Sequence, residues 1–181
     1  MFFATIYLPN FQLQAARRQT VLTNSDPALP ASPTALVSDE KKPLVLQLNK
    51  AAQKKGVHVG MSPSQALARC LNLLLISPQS EQETALQEML LEQAFTLSPY
   101  VEATAAGIAT VQFMDDRNRR IPISKVIGQF ECCGISARAG IGPTPDVSYL
   151  AAHMADPLLE VKDAGDFLAP LPLEVLLDAR S

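Results

Sequence analysis

The chain has 181 residues, of which 48% are hydrophobic, enough for one large domain or two small ones with a buried core. Its formal net charge at pH 7 is -3, which disfavours tight binding of the chain alone to the phosphates of nucleic acid. No apolar run approaches the roughly 20 residues that span a bilayer, and the start has no pattern of a secretory signal. We expect a folded cytoplasmic protein with no membrane contact.

The first half of the chain predicts a strand, a helix and two paired strands. Residues 2–8 are rich in aromatic and β-branched side chains, which favour a buried strand. A short helix is expected over 11–18, and the turn-rich segment 23–33 indicates a subdomain boundary. Two short apolar runs at 34–38 and 43–48 are typical of paired strands joined by a charged turn.

Capping signals then predict two short helices. Asn49 is expected to cap the first helix and Gly56 to end it. Ser62 and Pro63 have the residue types of an N-cap and a first helical position, so they start a helix that runs to Cys70.

The second half predicts alternating strands and helices. Ser80 and Glu83 have the spacing of a capping box, which starts the longest helix. A short strand is expected at 73–76, before this helix, and the helix itself is expected to run to 97. The elements expected after it are a strand at 101–114, a polar turn at 115–118, a helix at 123–133 ended by Gly134, a strand at 135–141 and a helix at 145–155. An extended segment is expected at 157–161, followed by a less regular segment at 163–172 that leads into 173–177. This order predicts an α+β fold of the split βαβ kind, with helices on one face of the sheet.

Cysteine and lysine spacing gives two smaller expectations. Cys132 and Cys133 are adjacent and Cys70 stands apart, so neither a disulfide framework nor a CxxC metal site is expected, and all three are interpreted as reduced core or helix residues.

Positive charge is concentrated between positions 41 and 58. A solvated helix face is favoured over a phosphate-binding track, and weak nucleic-acid contacts are assigned to a set of three residues, Lys50, Lys54 and Lys55.

Several segments together resemble Y-family DNA polymerases. GVHVGMSPSQALARCLNLLLI, at 56–76, is similar to the fingers segment of that family. The segments TIYLPNFQLQAA, SPYVEATAAGIATVQFMD, ARAGIGPTPDVSYLAAHMAD and FLAPLPLEVLL are similar to other family segments and follow the same order. YLPNFQLQAA and GIGPTP most resemble the ImuB-type branch, polymerase-like relatives of DinB and UmuC that have lost their catalytic residues.

The resemblance implies a domain division. Residues 1–20 and 79–160 would form a ferredoxin-like palm, with 21–78 inserted as a small fingers subdomain. Residues 161–181 would lead into a thumb that the sequence does not contain. The chain would then be a fragment or a truncated relative, and the sequence leaves both open.

The resemblance also implies a metal site, but its positions hold other residue types. Nucleotidyl transfer uses two divalent ions about 4 Å apart, held by carboxylates. The matching positions here are Tyr7, Pro9, Gly107 and Ile108. The nearest acidic pair at 115–116 lies about 23 Å farther along an extended strand, and we expect it to form a solvated turn.

The positions that match the family's phosphate contacts also depart from its pattern. They are Lys50, Gln53 and Ala152, of which only the lysine could still contact phosphate. His58 and His153 occur in no catalytic motif and are expected to be structural or surface residues.

These observations predict a non-catalytic, Y-family polymerase-like scaffold in DNA damage tolerance, not an enzyme, with no metal or cofactor. The resemblance implies three partners: a sliding clamp, an ImuA-like protein and an error-prone replicative-type polymerase. Two alternatives remain open, an active nucleotidyltransferase with a rearranged metal site and a protein-interaction module unrelated to DNA.

Overall fold

The computed structural model describes residues 1–23, 32–114 and 120–172. The chain divides into two compact units, one formed by Met1–Pro9 with Gln87–Ser181 and the other by Asn10–Leu86. The elements are β1 (Phe2–Tyr7), α1 (Phe11–Thr23), β2 (Thr34–Val37), β3 (Val45–Leu48), α2 (Lys50–Lys54), α3 (Pro63–Arg69), β4 (Leu74–Ile76), α4 (Ser80–Leu97), β5 (Val101–Ala105), β6 (Ile108–Phe113), α5 (Arg120–Cys132), β7 (Arg138–Gly142), α6 (Pro145–Met154), β8 (Leu158–Glu160) and α7 (Ala164–Leu168).

The unit that contains the N-terminus is built on a five-stranded sheet in the order β5-β6-β1-β7-β8. The central strand β1 is antiparallel to β6 and β7, and β7 is parallel to β8. Successive side chains of a strand alternate between the two faces of its sheet. Ala4 and Ile6 are therefore buried on one face, and Thr5 is buried on the opposite face. The α+β class expected from the sequence is confirmed.

Helix α6 packs closely on β7 because two positions of that strand have no side chain. A methyl group at Gly142 would lie 2.8 Å from a side-chain carbon of Val147, and one at Gly140 would meet the backbone of α6. Thr144 caps the helix by accepting a hydrogen bond from the Val147 amide at 3.2 Å. Gly140 and Gly142 therefore allow α6 to approach the backbone of β7 closely.

The prediction of a single strand over 101–114 is wrong, because the structure has a two-stranded hairpin there. Strands β5 and β6 are joined by a turn at Ala106 and Gly107. Gly107 has a φ of 72°, in the left-handed region that favours glycine. The run of small residues has no polar turn signal, so its composition alone gave a continuous strand.

The second unit has a three-stranded sheet in the order β3-β2-β4, with β2 antiparallel to β3 and parallel to β4. One core cluster contains residues from its strands and its two short helices: Ala35, Val45, Ala52, Val57, Ala66, Cys70 and Leu73.

The predicted caps of the two short helices are confirmed. The Asn49 side chain accepts from the Ala52 amide at 2.9 Å, and Gly56 has a φ of 81°. Ser62 and Gln65 form a reciprocal capping box.

Two expectations on element boundaries need correction, and three others lie wholly or mostly outside the described residues. Ser80 is the first residue of α4, so it does not cap the helix from the preceding position. Helix α5 begins at Arg120, three residues earlier than expected. The turn at 115–118, most of the loop at 23–33 and the segment 173–177 fall outside the described residues.

The three cysteines are free: Cys70 is buried, whereas Cys132 and Cys133 are exposed at the end of α5. The core-or-helix interpretation therefore fails for Cys133, which follows the last helical residue. Within the described ranges, no helix combines the length and apolar character required to cross a membrane.

Candidate nucleic-acid site at the end of the central sheet

The β5–β6 turn lies beside the end of β1. Tyr7 is the register partner of Ile108, and the Leu8 amide donates a hydrogen bond to the Gly107 carbonyl at 2.8 Å. The Gly107 amide donates to the Gln87 side-chain oxygen at 2.7 Å. The structure therefore brings Tyr7 beside Gly107 and Ile108, an adjacent pair that is far from Tyr7 in the sequence. Pro9 follows two residues after Tyr7.

An aromatic cluster of Tyr7, Tyr149 and His153 lies at this end of the sheet. The rings of Tyr7 and His153 stack with centroids 4.2 Å apart and planes at 18°, and the Tyr149 ring is 4.5 Å from the His153 ring. Nδ1 of His153 lies 3.0 Å from the Tyr149 carbonyl oxygen. Arg138, opposite Tyr7 on β7, donates to the His153 carbonyl at 3.3 Å. This cluster holds the C-terminal part of α6 against the central strand.

Burial in this cluster raises the pKa of Tyr7 above its ordinary value of 10.0. The charge of Arg138 acts in the opposite direction and lowers that pKa, whereas Tyr149 raises it. Burial is the largest of these effects, so the phenol of Tyr7 stays protonated and neutral at physiological pH.

The residues at this end of the sheet do not fit a pair of divalent ions. Magnesium prefers oxygen ligands, chiefly carboxylates, but Pro9, Gly107 and Ile108 have no oxygen in their side chains. The Gly107 carbonyl already accepts the Leu8 amide, and the ring of Tyr7 is stacked on His153. No group of three or more His, Cys, Asp or Glu side chains suited to a metal ion occurs among the described residues.

The positions expected to contact phosphate lie in different surroundings. Lys50, Gln53, Lys54 and Lys55 are exposed on α2 or immediately after it. Ala152 is fully buried on the side of α6 that faces Gly140, so its side chain is not available to a ligand. The acidic pair at 115–116 lies outside the described residues.

The sequence interpretation missed the aromatic cluster. His153 was expected to be structural or on the surface, and its packing against two tyrosines is a structural role. Tyr149 and His153 are four residues apart on a helix, a spacing that places them on one face. Their contact with Tyr7 depends on long-range pairing, which no local pattern shows.

The sequence model of the impB/mucB/samB family matches residues 6–153, most of the chain. The chain belongs to this family, the Y-family DNA polymerases. The match extends over parts of both compact units. The family assignment that the sequence resemblance implied is therefore confirmed for the palm and fingers region.

Curated relatives of this Y-family chain are named DNA polymerase IV. The protein of Ralstonia nicotianae is 28% identical over 170 residues, covering 83% of this chain and 45% of the relative. That of Streptococcus pyogenes is 25% identical over 162 residues, covering 82% of this chain and 44% of the relative. The chain thus spans less than half the length of these relatives.

Solved polymerase structures share the fold. DinB from Sulfolobus solfataricus superposes with a TM-score of 0.77 at 17% identity, over 99% of this chain and 56% of that one. The insertion ternary complex of Dbh DNA polymerase gives a TM-score of 0.81 at 16% identity, over 97% and 53% of the two chains.

The expectation that the protein is not an enzyme is contradicted. The curated relatives of this Y-family chain are named as DNA polymerases, which are enzymes. This chain spans less than half the length of those relatives. The poor fit of one end of its sheet to a metal pair therefore does not establish that the protein is inactive.

Proposed function

We propose that this protein works in translesion synthesis, and that the described chain is the palm and fingers part that engages primer–template DNA. The observation that supports this is the family match across residues 6–153, which includes segments of both units. The pairing of Tyr7 with Ile108 is a second support, because the resemblance assigns both residues to one site.

We further propose the domain division that the resemblance implied. Residues 1–20 and 79–160 are assigned to the palm, 21–78 to the fingers, and 161–181 to the approach to a thumb. The compact units place the boundary differently, since the segment that begins at Asn10 groups with the second unit.

The proposed DNA contacts are electrostatic and weak. Lys50, Lys54 and Lys55 are exposed within six consecutive positions, where they can approach phosphates as point charges. The net charge of -3 opposes this attraction over the rest of the chain.

Damage-induced mutagenesis tests the proposed function. A strain that lacks the gene should show fewer mutations after ultraviolet irradiation than its parent, and the restored gene should return the frequency to the parental value. An unchanged mutation frequency, with unchanged survival after damage, would contradict a role in translesion synthesis.

We also propose membership of the ImuB-type branch, supported by the segments YLPNFQLQAA and GIGPTP. That membership implies three partners, a sliding clamp, an ImuA-like protein and an error-prone replicative-type polymerase. Tagged protein purified from irradiated cells should retain all three in a mass-spectrometric comparison with an untagged strain. Recovery of none of them would contradict the branch assignment and leave the family assignment intact.

A further inference from the structure

Strand β5 forms one edge of the five-stranded sheet. Its sheet neighbour among the described residues is β6 alone, and four of its five residues are exposed. The register between the two strands shifts at its far end, between Ala103 and Ala105. The straight part of the edge therefore runs from Tyr100 to Ala103.

The hydrogen-bond pattern shows which backbone groups point away from the sheet. The Gln112 amide donates to the Tyr100 carbonyl at 3.0 Å, and Tyr100 lies opposite Gln112 when the register of Val101 with Val111 is extended by one residue. In an antiparallel pair, residues with inward-pointing backbone groups alternate with residues whose groups point outward. The N–H and C=O groups of Val101 and Ala103 are therefore directed to the open side.

A small cavity of about 260 Å³ adjoins this edge. Two aromatic side chains, Phe3 and Tyr100, contribute to its lining, and Tyr100 is 53% exposed. Its remaining lining residues are Val101, Glu102, Thr110, Val111, Gln112 and Pro145. The lining thus has one carboxylate and no cation. The backbone of Glu102 faces Thr110 of β6, whereas its side chain forms no hydrogen bond or ion pair with another described residue.

We propose that β5 is a docking site for an extended segment of a partner protein, which adds a strand at Val101 and Ala103 and places an arginine beside Glu102. Unpaired backbone groups on a sheet edge select an extended chain, because only such a chain offers donors and acceptors at the same spacing. Side chains of neighbouring strands lie about 5 Å apart, within reach of Tyr100 and Glu102.

The lining chemistry selects arginine in that segment. A guanidinium group is planar, so it can stack on an aromatic ring while donating to a carboxylate. Tyr100 and Glu102 supply the ring and the carboxylate. A second copy of β5 fits less well, since its sequence VEATA has no basic residue to neutralise Glu102.

A capped heptapeptide, TTVRVTT, is the probe that tests this proposal. Binding to the ¹⁵N-labelled protein should shift the NMR signals of Val101 and Ala103 and slow the hydrogen exchange of both amides. The matched peptide TTVQVTT removes only the charge and should bind about two- to fivefold more weakly. A TTVRVTT peptide with N-methyl groups at alternate residues keeps its side chains, loses its edge donors, and should not bind.

Protein variants separate this edge from other surfaces. Glu102→Gln should abolish the preference for TTVRVTT over TTVQVTT, whereas Glu88→Gln on α4 should preserve it. Shifts confined to residues outside 100–112, equal binding of the N-methylated peptide, or no binding would overturn the proposal. If the same amides shift with protein concentration in the absence of peptide, a second copy of the chain occupies β5, and the proposed partner segment is wrong. Primer–template binding should be unaffected by Glu102→Gln, so a failure here leaves the proposed function standing.

Discussion

Gly140 has no room for a side chain, because α6 lies directly on its α-carbon. A methyl group there would lie 2.6 Å from the carbonyl carbon of Ala151 and closer still to backbone atoms of Ser148 and Ala152. These are helix backbone atoms and cannot rotate away. We predict that Gly140→Ala lowers the free energy of unfolding by about 3 kcal/mol, measured by urea denaturation.

Gly128→Ala is the matched control for that substitution. Gly128 lies inside α5, and a methyl group there would meet nothing within 4 Å. Alanine favours the helix over glycine by about 0.5–1 kcal/mol, so this variant should be more stable than the wild type. Equal losses of stability in the two variants would contradict the packing explanation.

The phenol of Tyr7 gives a second prediction at the scale of a residue. Its pKa is raised in the folded protein above its ordinary value of 10.0, chiefly by burial. The folded state therefore holds this proton more tightly than the unfolded state. The resulting stability is fully present below about pH 10 and is lost as pH rises through the folded pKa of Tyr7.

Ultraviolet absorbance of the phenolate checks this prediction. The absorbance titration of the wild type should include a component from Tyr7 that ionises at higher pH than free tyrosine, and Tyr7→Phe should remove that component. Tyr7→Phe should also weaken the loss of stability at alkaline pH. Ionisation of Tyr7 at or below the pH of free tyrosine would show that Arg138, not burial, controls it.

Asn49 has a larger role in the second unit than an ordinary helix cap. Its side-chain oxygen accepts from the amides of Ala52 and Thr34, at 2.9 and 3.1 Å, and its amide donates to the Ser32 carbonyl at 2.8 Å. It therefore joins α2 to the start of β2. We predict that Asn49→Ala costs about 2 kcal/mol of unfolding free energy, measured by urea denaturation.

Ser62→Ala provides the comparison, because Ser62 caps α3 within an exposed local capping box. Its loss should cost about 1 kcal/mol. If Asn49→Ala costs no more than Ser62→Ala, the bonds from Asn49 to β2 contribute nothing to stability.

Local signals predicted the helices better than the hairpin. Asn49, Gly56 and Ser62 have side chains or backbone freedom that directly set a helix end, so their roles follow from the sequence. The turn at Gly107 lacked such a signal, because its flanking residues are small and apolar. Its conformation is fixed by hydrogen bonds to Leu8 and Gln87, which are distant in the sequence.

At the scale of the whole molecule, the family resemblance gave the positions of the candidate site but not their surroundings. Tyr7 and Ile108 were assigned to one site, and strand register places them opposite each other. The stacking of Tyr7 on His153 could not be predicted, since it requires α6 to lie on the central strands. The burial of Ala152 has the same origin: α6 turns that residue toward β7.

The salt dependence of primer–template binding, measured by fluorescence anisotropy, tests whether the palm and fingers part engages DNA through its exposed lysines. We predict weak binding at about 50 mM salt that is largely lost at about 200 mM, as expected for a few phosphate contacts. Replacing Lys50, Lys54 and Lys55 together by glutamine should reduce the slope of log affinity against log salt by about 3. No binding at the lower salt concentration, tight binding at the higher one, or an unchanged slope in the triple variant would contradict weak DNA binding through these three lysines.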